Sequence, residues 1–195
     1  MFKIISSFLL LLLLLSACVE EDHPPPGSQL LMNHHISLTP DSVFPWTAVK
    51  SEGVELGVSK EIFFTGNQSL FIENTDSLYF NSGGSWTQNI SGPMPAPGSR
   101  LELTAFLKGE NIRNLTPTGS VFISFQILPW SDKGNNQGRF IMSDKFVLEG
   151  DFDWTILSIT LDSFPEDAEN INVSLVLPRV TTGKIYFDEI TLTVI

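Results

Sequence analysis

From Ser99 the chain alternates cleanly, with Leu101, Leu103, Ala105 and Leu107 on one side and Arg100, Glu102, Thr104, Phe106 and Lys108 on the other. Successive side chains of an extended chain point to opposite faces, so period two with one apolar face predicts a half-buried strand. Val121, Ile123, Phe125 and Ile127 repeat the pattern and leave Phe122, Ser124 and Gln126 facing outward. Further strands are predicted around residues 43–50, 54–58, 69–73, 86–90, 139–147, 154–161, 171–177 and 184–194. Turn formers separate them: Thr65-Gly66-Asn67, Asn81-Ser82-Gly83-Gly84, the proline-rich Pro93 to Gly98, Asp132-Lys133-Gly134-Asn135-Asn136 and Thr182-Gly183. Pro165-Glu166-Asp167-Ala168-Glu169 supplies at most one helical turn, and no internal repeat is visible. Short strands punctuated by turns predict an all-β chain folded as one β-sandwich or jelly roll.

The N-terminus follows a different pattern. Lys3 precedes an unbroken apolar stretch from Phe8 to Leu15, which gives the charged start and apolar run of a signal peptide. That run is shorter than the roughly 20 apolar residues needed to cross a bilayer as a helix. It ends in Leu15-Ser16-Ala17-Cys18, which resembles the lipobox of bacterial lipoproteins; the resemblance implies removal of residues 1–17 and lipidation of Cys18. Cys18 is the only cysteine, so an acylated Cys18 leaves no free thiol and a fold without disulfides. One acyl chain holds a protein only marginally, at about 0.8 kcal/mol per buried methylene, whereas two or more anchor it stably. Residues 18–29 then read as an acidic and proline-rich tether, with Glu20-Glu21-Asp22 followed by His23 and three prolines. The acidic triplet is similar to the surface-export signal of Bacteroidota lipoproteins. It implies lipid anchoring in the outer membrane and display at the cell surface, with a periplasm-facing orientation as the alternative.

Composition narrows the partners. The formal net charge is −11, and loss of Lys3 with the signal peptide makes it one unit more negative. Binding of nucleic acid or anionic lipid depends on Lys and Arg neutralising phosphates, so nucleic acid is excluded as a partner. Residues 30–195 are long enough for one domain with a full core.

Four local patterns bear on family. Gly66-Asn67-Gln68-Ser69-Leu70-Phe71-Ile72 opens a strand, Trp86 falls in the next, Asp151-Phe152-Asp153-Trp154-Thr155 opens a later one, and Gly183 to Ile190 closes the set with Asp188-Glu189 before an aliphatic residue. In this order they resemble the CenC-type carbohydrate-binding modules, a group of galactose-binding-domain-like jelly rolls. The resemblance implies glycan binding on the concave face of one sheet or on loops at its rim. A sugar ring has an apolar face and a belt of hydroxyls, which suits an aromatic platform ringed by amides. The stretch Asn172 to Arg179 lacks an acidic residue that some xylan-binding relatives place there, so xylan specificity is not carried over.

Candidate glycan-binding residues are Trp86, Gln88, Arg100, Phe106, Phe122, Gln126 and Trp130. Trp86 and Gln88 share a strand face. Trp130 leaves its strand for a Gly- and Asn-rich loop, as a platform or as a lid over the end of the sandwich. Phe106 and Phe122 face outward, and if their strands are neighbours they share one surface with Gln126 and Arg100; otherwise a loop or the N-terminal segment covers them. Trp154 is expected in the core, beside Leu157, Ile159 and Leu161, and Trp46 as a packed edge residue.

Asp188 matches a position where the family uses an acid to help hold a structural calcium, but the N-terminal acidic partner is not evident between Asn33 and Leu38. His34 and His35, adjacent on a strand, would point to opposite faces and could not simply share a metal. No nucleophile with a base, metal cluster or carboxylate pair has usable spacing, so the protein is expected to be non-enzymatic. The leading expectation is a lipid-anchored glycan-binding protein. An envelope scaffold or adhesin with an outer-membrane protein partner is second. A polysaccharide lyase or accessory subunit, for which Tyr79 and Tyr186 are the only tyrosines, is third.

Overall fold

A computed structural model describes residues 23–38, 42–75, 78, 81–116, 119–129, 139–143 and 147–195. Ten strands build it: β1 (Thr47–Lys50), β2 (Glu55–Ser59), β3 (Ser69–Asn74), β4 (Gly84–Ile90), β5 (Leu101–Asn114), β6 (Phe122–Leu128), β7 (Arg139–Met142), β8 (Gly150–Leu161), β9 (Asn170–Leu177) and β10 (Thr181–Val194). All pairings are antiparallel, in a first sheet ordered β1-β4-β9-β6-β7 and a second ordered β2-β3-β10-β5-β8. No α-helix occurs among the described residues; within residues 165–169 only Glu166 and Asp167 form a turn.

The core lies between the sheets and is drawn from the apolar side of each alternation. Leu101, Leu103, Ala105 and Leu107 of β5 meet Ile123, Phe125 and Ile127 of β6 and Ile171, Val173, Leu175 and Leu177 of β9 in one buried cluster. Burying one such aliphatic or aromatic side chain contributes about 1.5–3 kcal/mol, so this alternation supplies most of the driving force.

β10 changes parity midway. Ile185 and Phe187 face the core before Asp188, and Ile190, Leu192 and Val194 after it. The register jumps from Asp188↔Phe106 to Thr191↔Thr104, so Glu189 and Ile190 together oppose Ala105. Glu189 has φ +47° at this bulge. The change is readable in the sequence as the odd, three-residue spacing from Phe187 to Ile190 in an otherwise two-residue apolar alternation.

The segment before β1 is fastened to the sandwich. Gln29 bridges Thr193, Gly27 N donates to Val194 O and Leu30 N to Leu192 O. His23 Nδ1 donates to the Met94 carbonyl at 2.8 Å. Pairing with β10 thus begins within the stretch that composition marks as tether.

Candidate functional site

The outer face of the first sheet carries three cross-strand rows. Asn89 of β4 pairs with Asn172 of β9, which pairs with Gln126 of β6, which pairs with Phe140 of β7. The next row runs Thr47, Thr87, Ser174, Ser124 and Met142; the third runs Val49, Ser85, Val176 and Phe122. Directly opposite Cβ atoms in an antiparallel pair lie about 4.5–5.5 Å apart, so each row is a contiguous strip. Amides and hydroxyls occupy the middle, while Phe122 and the 51% exposed Phe140 stand at the margins. Ser174 Oγ donates to Asn172 Oδ1 at 3.3 Å, and the buried Ser124 Oγ has no hydrogen-bond partner. An open cleft of about 290 Å³ continues the third row, lined by Val49, Ser85, Val176, Lys50 and Arg179 among others. Such a face offers amide donors and acceptors to hydroxyl groups and ring edges to an apolar surface.

Of the residues singled out in the sequence, Phe122 and Gln126 belong to this face. Trp86 and Gln88 share a strand face as expected, but that face is the inner one. Trp86 is 5% exposed and its Nε1 donates to Phe71 O at 3.0 Å, so it packs between the sheets and offers no platform. Gln88, 2% exposed, accepts from Met32 N at 2.8 Å and donates to Met32 O at 3.0 Å; its amide fastens the N-terminal segment and is buried away from any ligand on the surface. Trp46 is likewise in the core, where Nε1 donates to Asn33 O. Trp130 and Cys18 lie outside the described residues.

Phe106 and Arg100 do not share a surface with Phe122 and Gln126, because β5 and β6 belong to different sheets. Phe106 stands on the outer face of the second sheet, where Phe64 stacks on it with centroids 4.0 Å apart and planes 14° from parallel. The loop of residues 60–68 thus covers it. Arg100 is an exposed side chain, with Nε 3.5 Å from Asp162 Oδ1. Trp154 departs from the expected core position: the register of β5 and β8 shifts between Leu107 and Gly109, and Trp154 lies half-buried, its ring 5.8 Å from Phe64.

Asp188 holds that covering loop. Its Oδ2 accepts from Phe64 N at 2.7 Å and Thr65 N at 3.1 Å, and its Oδ1 accepts from Glu189 N at 2.8 Å. Burial pushes the carboxyl above its ordinary range, against the opposing pull of these donors. Its observed work is organising backbone amides, with three donors on its two oxygens and Glu189 as the neighbouring carboxylate.

His34 and His35 also differ from expectation. They sit in a turn rather than a strand, between Asn33 at φ +49° and Ile36 at φ +53°, and their rings are neighbours, with centroids 3.7 Å apart. Asparagine tolerates this left-handed conformation better than most residues. His35 Nδ1 lies 2.7 Å from Glu189 Oε1, and burial, then the neighbouring His35, lowers the His34 pKa.

The missed residues of the polar face are Asn89, Asn172, Ser174 and Phe140. Each follows from the parity of its own strand, but their convergence depends on strand order, which periodicity does not carry.

The class this architecture defines is the antiparallel β-sandwich of jelly-roll type. No protein-family model matches the chain, and no curated protein matches it in sequence. Solved structures do match in fold. The CBM22-1 xylan-binding domain of Xyn10C from Paenibacillus barcinonensis aligns at TM-score 0.53 and 15% identity, covering 88% of this chain and 97% of that one. A family 16 carbohydrate-binding module aligns at 0.54 and 16%, covering 84% and 99%. The enzymatically active domain of bacteriophage CBA120 tailspike protein 4 aligns at 0.60 and 15%, covering 86% of this chain but 21% of that one, so the chain spans about a fifth of its length. At these identities the likeness is one of fold.

Proposed function

We propose that this protein is a non-enzymatic, lipid-anchored glycan-binding module that takes an oligo- or polysaccharide on the outer face of its first sheet. The observation that carries the reading is the amide strip Asn89-Asn172-Gln126 with Phe140 and Phe122 at its margins. Each neutral hydrogen bond contributes about 0.5–1.5 kcal/mol net, so several amide contacts and one ring contact are needed for useful affinity. The CenC-like order of motifs and the carbohydrate-binding modules among its fold neighbours support the same reading. Anchoring through Cys18 in the outer membrane would hold the module beside the envelope, where glycan capture serves uptake or adhesion.

Affinity electrophoresis in gels containing plant, algal and host polysaccharides tests it. The soluble form should begin at Val19, since removing residues through Ser28 deletes the Gly27 bond to β10. Retardation by at least one polysaccharide, abolished by free oligosaccharide, is expected; no retardation by any of them contradicts the reading.

A second reading, docking of an outer-membrane protein, draws on the opposite sheet. There Phe63, Phe64 and the 52% exposed Ile156 leave apolar surface in solvent beside Phe106. A pull-down that recovers one outer-membrane protein, undisturbed by sugars and lost in Ile156→Glu, would favour it.

A further inference from the structure

The glycan reading uses neither histidine of the N-terminal turn. The geometry points to a binding site for a divalent transition-metal ion of the zinc class, formed by His34, His35 and Glu189, that clamps the N-terminal turn to the bulge of β10. One ligand atom from each of the three side chains lies within 4.8 Å of the others. A tetrahedral zinc with bonds of about 2.0–2.2 Å sets its ligand atoms roughly 3.4 Å apart, so small side-chain rotations close the set.

The surrounding structure fixes both halves. On the turn, Ile36 N donates to Asn33 O, Leu38 N to Asn33 Oδ1, Asn33 Nδ2 to Phe44 O and Gln68 Nε2 to Ile36 O. Ile190 N donates to His34 O at 3.0 Å and ties the turn to β10. On the bulge, Glu189 N is held by Asp188, and Thr65 Oγ1 donates to Glu189 Oε1. Outer contacts that orient ligands in this way raise metal affinity.

Two observations specify the ion. The His34 Nδ1 atom is buried with no hydrogen-bond partner, an uncompensated polar group of a kind native structures rarely leave unexplained. In addition, two imidazoles and one carboxylate suit zinc, nickel or copper, whereas calcium and magnesium take oxygen ligands. The set is thus distinct from the oxygen site that the family resemblance attaches to Asp188. Three protein ligands leave a fourth position for water.

The test uses the purified full chain carrying Cys18→Ser, which removes the only thiol. Zinc chloride titration should show one ion per chain. The unfolding midpoint should rise by about 5–10 °C when free zinc is a hundredfold above Kd, and calcium or magnesium should not shift it. His35→Gln and Glu189→Gln, both folded by circular dichroism, should each weaken binding at least about tenfold, and His23→Ala should not. Absence of a zinc-dependent shift, equal zinc affinity in His35→Gln and Glu189→Gln, or an equal shift with calcium would overturn the proposal. None of these outcomes bears on glycan retention.

Discussion

Asp188 has no solvent-exposed surface and accepts three backbone amides, so its removal strands three N–H groups under the loop that carries Phe64. An unsatisfied buried donor costs roughly 1–3 kcal/mol, partly recovered where water enters. Asp188→Ala should therefore lower the free energy of unfolding by about 3 kcal/mol in a urea titration, with Asp188→Asn falling between it and the parent. Trp86 is a contrasting case at the same scale. Removing its one hydrogen bond in Trp86→Phe costs about 1 kcal/mol of stability plus some packing, yet glycan retention should not change, because the side chain sits between the sheets. A loss of retention by folded Trp86→Phe would return this residue to the binding surface. In the sequence, Gly84, Trp86, Gln88 and Ile90 alternate against the wholly polar Ser85, Thr87 and Asn89, which favours an inward Trp86, but Gln88 on the same side as Trp86 imitates an amide beside an exposed platform.

Among elements, β10 links most of the distinctive features, since its bulge reverses parity and presents Asp188 and Glu189 to separate partners. That bulge was legible as a change of apolar spacing after Phe187, whereas the placement of β5 and β6 in different sheets was not. Pairing partners are chosen by long-range packing, and an alternating strand reads the same in either sheet. Before the bulge, the outer face of β10 carries Lys184, with Nζ 2.8 Å from Glu73 Oε2, and Tyr186, which donates to Glu110 Oε2 at 3.2 Å. Burial raises the Tyr186 pKa; for Lys184 burial acts downward, but the bond to Glu73 and the charges of Tyr186 and Glu73 outweigh it and raise the pKa. Both groups thus hold protons more tightly folded than unfolded. Their contribution is fully present below the ordinary values of 10.0 and 10.5 and is lost as pH rises through the raised ones. The thermal midpoint should hold up to about pH 10 and fall as pH rises beyond it, and Lys184→Met should flatten part of that fall. A parent midpoint that is level over this range would contradict the assignment.

For the whole molecule, alternation and turn chemistry made the all-β sandwich readable, because each strand buries one face against the same core. The candidate site was only half legible: Phe122 and Gln126 emerged from the parity of β6, but Asn89, Asn172 and Phe140 join them only through the order β4-β9-β6-β7. Membrane attachment is a separate matter, argued from Leu15-Ser16-Ala17-Cys18. Metabolic labelling with a palmitate analogue should mark the parent and not Cys18→Ala, and equal labelling of both would remove the anchor from the account. The central claim is that a glycan lies on the outer face of the first sheet, and the most direct measurement compares retardation of folded variants in affinity gels. Losing a hydrogen bond or ring contact worth about 1.4 kcal/mol weakens binding tenfold. Gln126→Ala and Phe122→Ala should therefore each cut affinity about tenfold and the pair should abolish retardation, while Arg100→Ala, just before β5, and Ile156→Ala, on β8 of the second sheet, should leave it intact. Retardation that survives the Gln126 and Phe122 pair, or that is lost with Arg100 or Ile156, would contradict the account.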